Sequence, residues 1–416
     1  MRLRDRVPAE NVYLLLTGLY AFTYSIVLTV TLVYQTQEAG LNPFQLVMAG
    51  TVLQASTFLF EIPTGVFADV KGRRLSVVIG IASLGLAFVL MGSSTSFAMI
   101  LVSQAIFGAA LTFVSGAQEA WIADEVGIAA ASRIYLRSAQ VVQYARLFGI
   151  PAGVGLGVVS LSLPLLLGGG MFAGLALFLM VVMPEAGFSR EPGAATDDKP
   201  GFRRIFIEGT NLVRKTPILV TLFGMVAFYE LAGEVFVRLS VTHFLNDIGL
   251  PTIGHLDPVV WFGGMRMASA LAGLVAVQYV RNNVDVTDRQ AIAGWLMRIN
   301  ILQMVSLAAF AFSGGFWGGV AAYLAATSMS RMFQPLYLAL LNTHVDSSVR
   351  ATVISMSSQV DALGQTIGAP VLGIVASVYS VKAALLGSAA VILPAVGLNA
   401  RATEQQRAVG PAASFD

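Results

Sequence analysis

The sequence predicts an all-α integral membrane protein, and three observations carry that prediction. Of 416 residues, 56% are hydrophobic and only 12% charged, against about a quarter charged in soluble globular chains. The apolar residues gather into twelve stretches of the length that crosses a bilayer as a helix, about twenty residues. Those stretches are continuously apolar without alternation, which excludes strands as the spanning element. The same composition removes other classes. A net charge of +2 gives no basic field for nucleic acid. With no cysteine there are no thiolate metal sites, clusters or cysteine nucleophiles. The histidines His243, His255 and His344 lie far apart and make no metal-ligand spacing. No Walker-type glycine loop is present, so ATP is not the expected fuel; no cofactor and no metal is expected.

The spans read, in order, 11–36, 43–67, 75–93, 96–121, 134–160, 162–183, 217–245, 258–281, 290–312, 315–342, 351–378 and 382–400. The basic N-terminus runs into a stretch longer than a signal peptide's apolar region, with no small-residue cleavage site. It reads as a retained first helix. Lysine and arginine set the orientation. With the N-terminus inside, only Lys382 of the 25 falls in an outer loop; five arginines lie within spans and the others are cytoplasmic. Twelve spans return the C-terminus to the same side, giving a multi-pass inner-membrane protein with both termini cytoplasmic.

One long polar stretch divides the spans six and six. The expected organisation is a bundle over 1–183, a cytoplasmic linker over 184–216, a second bundle over 217–400 and a tail over 401–416. Within the linker, Phe202, Ile205, Phe206, Leu212 and Val213 share one helical face opposite basic residues, which predicts a helix lying on the inner membrane surface. A shift of 219 residues sets Ser138-Ala-Gln140-Val141 on Ser357-Ser-Gln359-Val360, Gly149-Ile-Pro151 on Gly368-Ala-Pro370, and Asp69 on Asp288. Several matches at one offset, at equivalent places, predict two pseudo-symmetric six-helix bundles, a recurring transporter plan.

Between spans 2 and 3 stands Gly65-Val-Phe-Ala-Asp69-Val-Lys71-Gly72-Arg73-Arg74. It resembles the signature loop of the major facilitator superfamily, G-x-x-x-D-x-x-G-R-[RK], with Val70 in place of a common basic residue. Gly65 is expected to allow close helix approach and Gly72 a tight turn. Asp69 is an anion able to cap a helix N-terminus, and Arg73 and Arg74 hold the loop inside. By the resemblance, Asp69 locks the halves together on the cytoplasmic side when the cavity opens outward. Glu61 and Glu119, near the inner ends of spans 2 and 4, read as gate residues alongside it. The stretches Ser115–Glu125 and Arg350–Ser355 also resemble a bacterial, multidrug-efflux-like branch. Two features depart from proton-driven drug antiporters. The run Gly149-Ile-Pro151-Ala-Gly153-Val-Gly155-Leu-Gly157 lacks their glycine-proline order, and span 1 lacks their acidic residue.

Ten ionisable residues fall inside spans: Glu61, Glu119, Arg146, Glu230, Glu234, Arg238, Arg266, Arg298, Arg331 and Asp361. Left alone at mid-bilayer, each costs roughly 2.5–3.5 kcal/mol, so they must mostly meet water or each other. Polar stripes run along one face of span 1 (Tyr13, Thr17, Tyr20, Tyr24, Thr31), span 4 (Gln104 to Glu119), span 7 (Glu230, Glu234, Arg238) and span 10 (Tyr323, Thr327, Arg331, Gln334, Asn342). The resemblance implies that spans 1, 4, 7 and 10 line a central cavity. Arg298, Asn300 and Gln303 in span 9 depart from that plan.

Tyr20, Tyr24, Arg146, Glu230, Arg266, Arg331 and Gln334 are therefore the expected substrate contacts. Asp361, Glu230 and Glu234 are the expected proton carriers; each also has a plainer reading as an internal pair or helix contact, as Glu234 with Arg238 at i,i+4. The expected function is secondary active transport of a small organic solute, with efflux of drug-like compounds against protons first. Uptake or exchange of an organic anion on the intramembrane arginines stands second. Short loops without a nucleophile constellation argue against an enzyme, and a monomer is the default for this fold.

Overall fold

The computed structural model describes residues 7–187, 213, 216–253, 256–345 and 350–409. Among these, the structure is all-helical. The helices are α1 (Ala9–Val33), α2 (Pro43–Lys71), α3 (Arg73–Gly92), α4 (Phe97–Val114), α5 (Ala117–Val126), α6 (Ile128–Val159), α7 (Ser162–Val182), α8 (Pro217–His243), α9 (Pro258–Asn283), α10 (Arg289–Phe312), α11 (Phe316–Asn342), α12 (Arg350–Val378) and α13 (Val381–Val409). Five-residue π segments, Tyr34–Glu38 and Phe244–Ile248, extend α1 and α8. Eleven helical spans are long and apolar enough to cross a membrane. The twelfth expected span, α11, is diluted by Thr327, Ser328, Ser330, Arg331 and Gln334.

Three boundaries correct the sequence expectation. Span 4 is not continuous to 121. It breaks at Ser115-Gly116, where Gly116 takes φ +72°, and restarts as α5. A left-handed glycine ends one helix and lets the chain turn into the next. The signature segment is not an extended loop either. Gly65–Lys71 form the last turns of α2, Arg73 opens α3, and Gly72 alone, at φ +113°, makes the corner. The final helix runs beyond residue 400 to Val409. Of the expected linker helix, only Val213 lies among the described residues.

The chain divides into two compact units: Met1–Lys199 with Thr252–Met267, and Pro200–Pro251 with Ala268–Asp416. In the first, α1 packs on α6 and α7, α3 on α4 and α7, and α2 on α4. In the second, α8 packs on α12 and α13, and α10 on α11 and α13. The early residues of α9 belong to the first unit. Gly157 abuts Val259, Gly263 abuts Val154, and Arg266 donates to the Leu28 carbonyl at 3.2 Å.

The duplicated plan extends to the π segments. Both are followed by a glycine with positive φ, Gly40 at +62° and Gly249 at +78°. Next to each, a side chain reaches the end region of its unit's third span. The Tyr34 hydroxyl donates to the Ser94 carbonyl at 3.1 Å, and His243 Nε2 meets the Phe310 carbonyl at 3.1 Å.

Candidate functional site

Glycine packing sets the position of the main cluster. A Cβ on Gly364 would lie 2.9 Å from the Ala227 carbonyl oxygen, and one on Gly368 would strike Leu231. Small residues at these places draw the α12 backbone onto α8, as in tightly packed membrane helices. Asp361, one turn before, is thereby brought within electrostatic reach of Glu230 and Glu234 on α8. Arg238 Nε donates to Glu234 at 2.7 Å, with both side chains 12% exposed. Gln365 donates to Asp361 at 2.6 Å. Glu230 has no ion pair among the described residues.

An aromatic wall that sequence reasoning missed flanks these carboxyls. Tyr229 stacks on Phe333 at 3.6 Å and 6°, and Phe333 on Tyr337 at 5.7 Å and 9°. The i,i+4 spacing of Phe333 and Tyr337 was legible as one helix face; the insertion of Tyr229 from α8 was not. The Tyr337 hydroxyl bonds Ser357 of α12 at 2.6 Å. Three helices thus converge on one polar patch with an apolar backing.

The first unit gathers different chemistry. Tyr20 and Tyr24 stack at 5.5 Å and 17°. Their edges meet Phe172 of α7 at 5.6 Å and Phe107 of α4 at 6.1 Å. Arg146 is exposed on α6 and close enough to act electrostatically on Tyr20. It has no ion pair among the described residues. Arg331 and Gln334 are exposed on α11, and the Arg331 stem lies across Gly273. Arg266 sits in the first unit, on Leu28.

At the α2–α3 corner, Arg73 Nε donates to Asp124 of α5 at 2.6 Å and pairs with Asp69 at 3.4 Å. Asp69 therefore engages its own helical neighbour and caps no helix N-terminus among the described residues. Gly65 also departs from expectation, since nothing lies within 4 Å of where its Cβ would stand. The Arg74 amide donates to Glu185 at 3.1 Å, and its guanidinium donates to the Met180 carbonyl. Trp121 donates to the Pro184 carbonyl at 2.7 Å. Asp124 and Glu185 were missed because their partners are 51 and 111 residues away. Glu119 is exposed; its carboxylate accepts from Gln118 and its carbonyl from Tyr135. Glu61 is half-buried on α2, without an ion pair among the described residues.

The corresponding corner of the second unit is built from other parts. Asp285 accepts from the Thr287 hydroxyl and amide, which holds its carboxyl below the ordinary value. Asp288 caps α10 through the Gln290 amide at 2.8 Å. Arg289 donates to the Thr343 carbonyl. The span 9 polar residues have local explanations. Arg298 lies over Trp295 at 5.2 Å, and Gln303 reaches Ser330 at 3.5 Å. Asn300 is fully buried, and neither amide atom has a hydrogen-bond partner among the described residues.

No family model matches the chain. It is 20% identical over 344 residues to an uncharacterised MFS-type transporter of Bacillus subtilis (strain 168), YxaM, covering 82% of each. A crystal structure of a variant of the nucleoside transporter NupG matches with a TM-score of 0.74 at 15% identity. It covers 97% of this chain and all of that one. A bacterial homologue of the human lysosomal transporter Spinster, inward-facing and unoccupied, matches at 0.74 and 14% identity, over 95% and 97%. The fold is that of the major facilitator transporters. These likenesses support a transporter of the major facilitator type and not an enzyme; none of them singles out a drug-efflux branch.

Proposed function

We propose that this protein is a proton-coupled secondary transporter that works by alternating access and exports drug-like or amphipathic organic compounds. The observation that carries this reading is the α8–α12 cluster. Three carboxyls, Glu230, Glu234 and Asp361, share one patch in which Arg238 is committed to Glu234. Carboxyls inside spans mark proton relays and ion pathways, and the Tyr229–Phe333–Tyr337 stack offers the apolar face an amphipathic solute needs. Tyr20 and Tyr24 add a second aromatic face. The α2–α3 corner serves as the cytoplasmic gate, with Arg73 exchanging between Asp69 and Asp124. The distribution of lysine and arginine supports an inner-membrane protein with both termini cytoplasmic, and a monomer is the default for this fold.

Vesicles carrying the protein test this reading. Amphipathic cations added to energised vesicles should release protons, and overexpression should raise growth resistance to the same compounds. Asp361→Asn and Glu230→Gln should abolish both. The second reading, uptake or exchange of a small organic anion, is favoured by Arg146, exposed and without an ion pair among the described residues. It predicts accumulation of labelled anions that is lost in Arg146→Ala or Arg331→Ala while Asp361→Asn is silent. That pattern would replace the first reading.

A further inference from the structure

Tyr337 and Ser357 are both buried, at 1% and 4% exposure, yet their hydroxyls face each other at 2.6 Å across α11 and α12. Ser357 precedes Asp361 by four residues, so the two share a helix face one turn apart. With the N-terminus of α12 at the inner membrane surface, as the charge distribution orients it, Ser357 lies on the cytoplasmic side of Asp361. Tyr337 lies toward the C-terminal, cytoplasmic end of α11. Its ring stacks on Phe333, which in turn stacks on Tyr229, and the bond to Ser357 fixes where the hydroxyl points. Asp361 and Glu230 are close enough to act electrostatically on that hydroxyl. Behind them stand Gln365 on α12 and the Glu234–Arg238 pair on α8, while Arg331 on α11 leans on Gly273 of α9.

We propose that the Tyr337–Ser357 hydroxyl pair is a proton relay joining the cytoplasmic water to the Asp361–Glu230 carboxyls. The proposal rests on the proton-coupled reading of the same site. In the inward step, a hydronium gives its proton to Ser357 Oγ and is left as water. The proton already on Ser357 passes to Tyr337 Oη. The Tyr337 proton then crosses one bridging water to the Asp361 carboxylate. Each hydroxyl ends with one proton, and the net change is a protonated Asp361. A polar bond that merely glues two spans needs no carboxyl one turn away on the same helix face.

The test needs no known substrate, because the proton itself is the probe. Full-length protein in lipid bilayers is given a rapid pH jump while the carboxylic C=O stretch is followed by infrared spectroscopy. The wild type should show a carboxyl band that loses intensity in Asp361→Asn and Glu230→Gln. Tyr337→Phe keeps the ring stack and removes only the hydroxyl. It should preserve the band's amplitude and slow its appearance roughly a hundredfold, the low end of what a positioned proton-transfer group contributes. Ser357→Ala should slow it likewise, and Ser357→Thr, which keeps a hydroxyl, should restore the rate. A normal rate in both Tyr337→Phe and Ser357→Ala, with the band intact, overturns the relay and leaves the carboxyl site standing. A wild type with no band sensitive to Asp361→Asn or Glu230→Gln overturns the proton-coupled reading itself.

Discussion

In the first unit, the polar stripe of α1 turns onto rings: Tyr20 and Tyr24 meet Phe172 and Phe107, and Phe88 joins the same cluster through both phenylalanines. In the second unit, the stripe of α8 carries Glu230, Glu234 and Arg238 and meets Asp361 of α12. The helix pairs that frame the two places correspond: α1 with α6 and α8 with α12. Corresponding packing seams thus carry different side chains in the two units. The first unit offers shape and aromatic surface, and the second offers titratable groups. On the proposed reading, proton coupling belongs to the second unit, while aromatic faces for a solute stand in both units.

The sharpest way to break this division is to exchange its chemistry. Asp361→Asn should eliminate proton release entirely, whereas Tyr24→Leu, which removes the ring, should leave it intact and weaken solute affinity by about tenfold or less, consistent with about 0.5–1.5 kcal/mol for an aromatic pair. Equal losses in vesicle proton-release assays would end the distinction.

A second comparison uses glycines that align at the 219-residue shift. A Cβ on Gly149 would lie 2.7 Å from the Phe22 carbonyl oxygen, while one on Gly368 meets the flexible end of Leu231. Backbone cannot step aside as a side chain can. Gly149→Ala should therefore destabilise by about 1–3 kcal/mol, the range for overpacking, and Gly368→Ala by less. Thermal unfolding of the two variants in one detergent decides it, and a reversed order would refute the packing argument.

At the cytoplasmic corners, Arg73→Ala removes two partly exposed ion pairs, worth about 0.2–1 kcal/mol each at such sites. Arg289→Ala removes a hydrogen bond to the Thr343 carbonyl and no ion pair among the described residues. The loss in Arg73→Ala should shrink with added salt, while that in Arg289→Ala should not. Unfolding midpoints at low and high salt check this.

The smallest effect concerns His344, just beyond α11. Burial holds its pKa below the ordinary 6.5, and the Arg289 charge pushes the same way against its bond to the Leu340 carbonyl. A depressed imidazole favours the neutral folded form. Its contribution is complete above the unfolded value and is lost as the pH falls below it. Melting curves between about pH 7.5 and 5.5 should show a decline that His344→Gln partly flattens.

The hydrophobic pattern determined eleven of the twelve expected spans, because a bilayer core imposes length and apolarity on each segment locally. The signature motif placed the α2–α3 corner at Gly72, the 219-residue shift suggested the internal repeat, and charges conspicuous in apolar runs marked Glu230, Glu234 and Asp361 as candidates. The tertiary structure alone decided who meets whom. It inserted Tyr229 between the expectations for α8 and α11, gave Arg73 to Asp124, and bound Tyr337 to Ser357. It also left Gly65 facing open space. Partner choice depends on helix rotation and on glycine-controlled approach between segments far apart in the chain. A one-dimensional pattern records the face each residue occupies but not the neighbour that face will find.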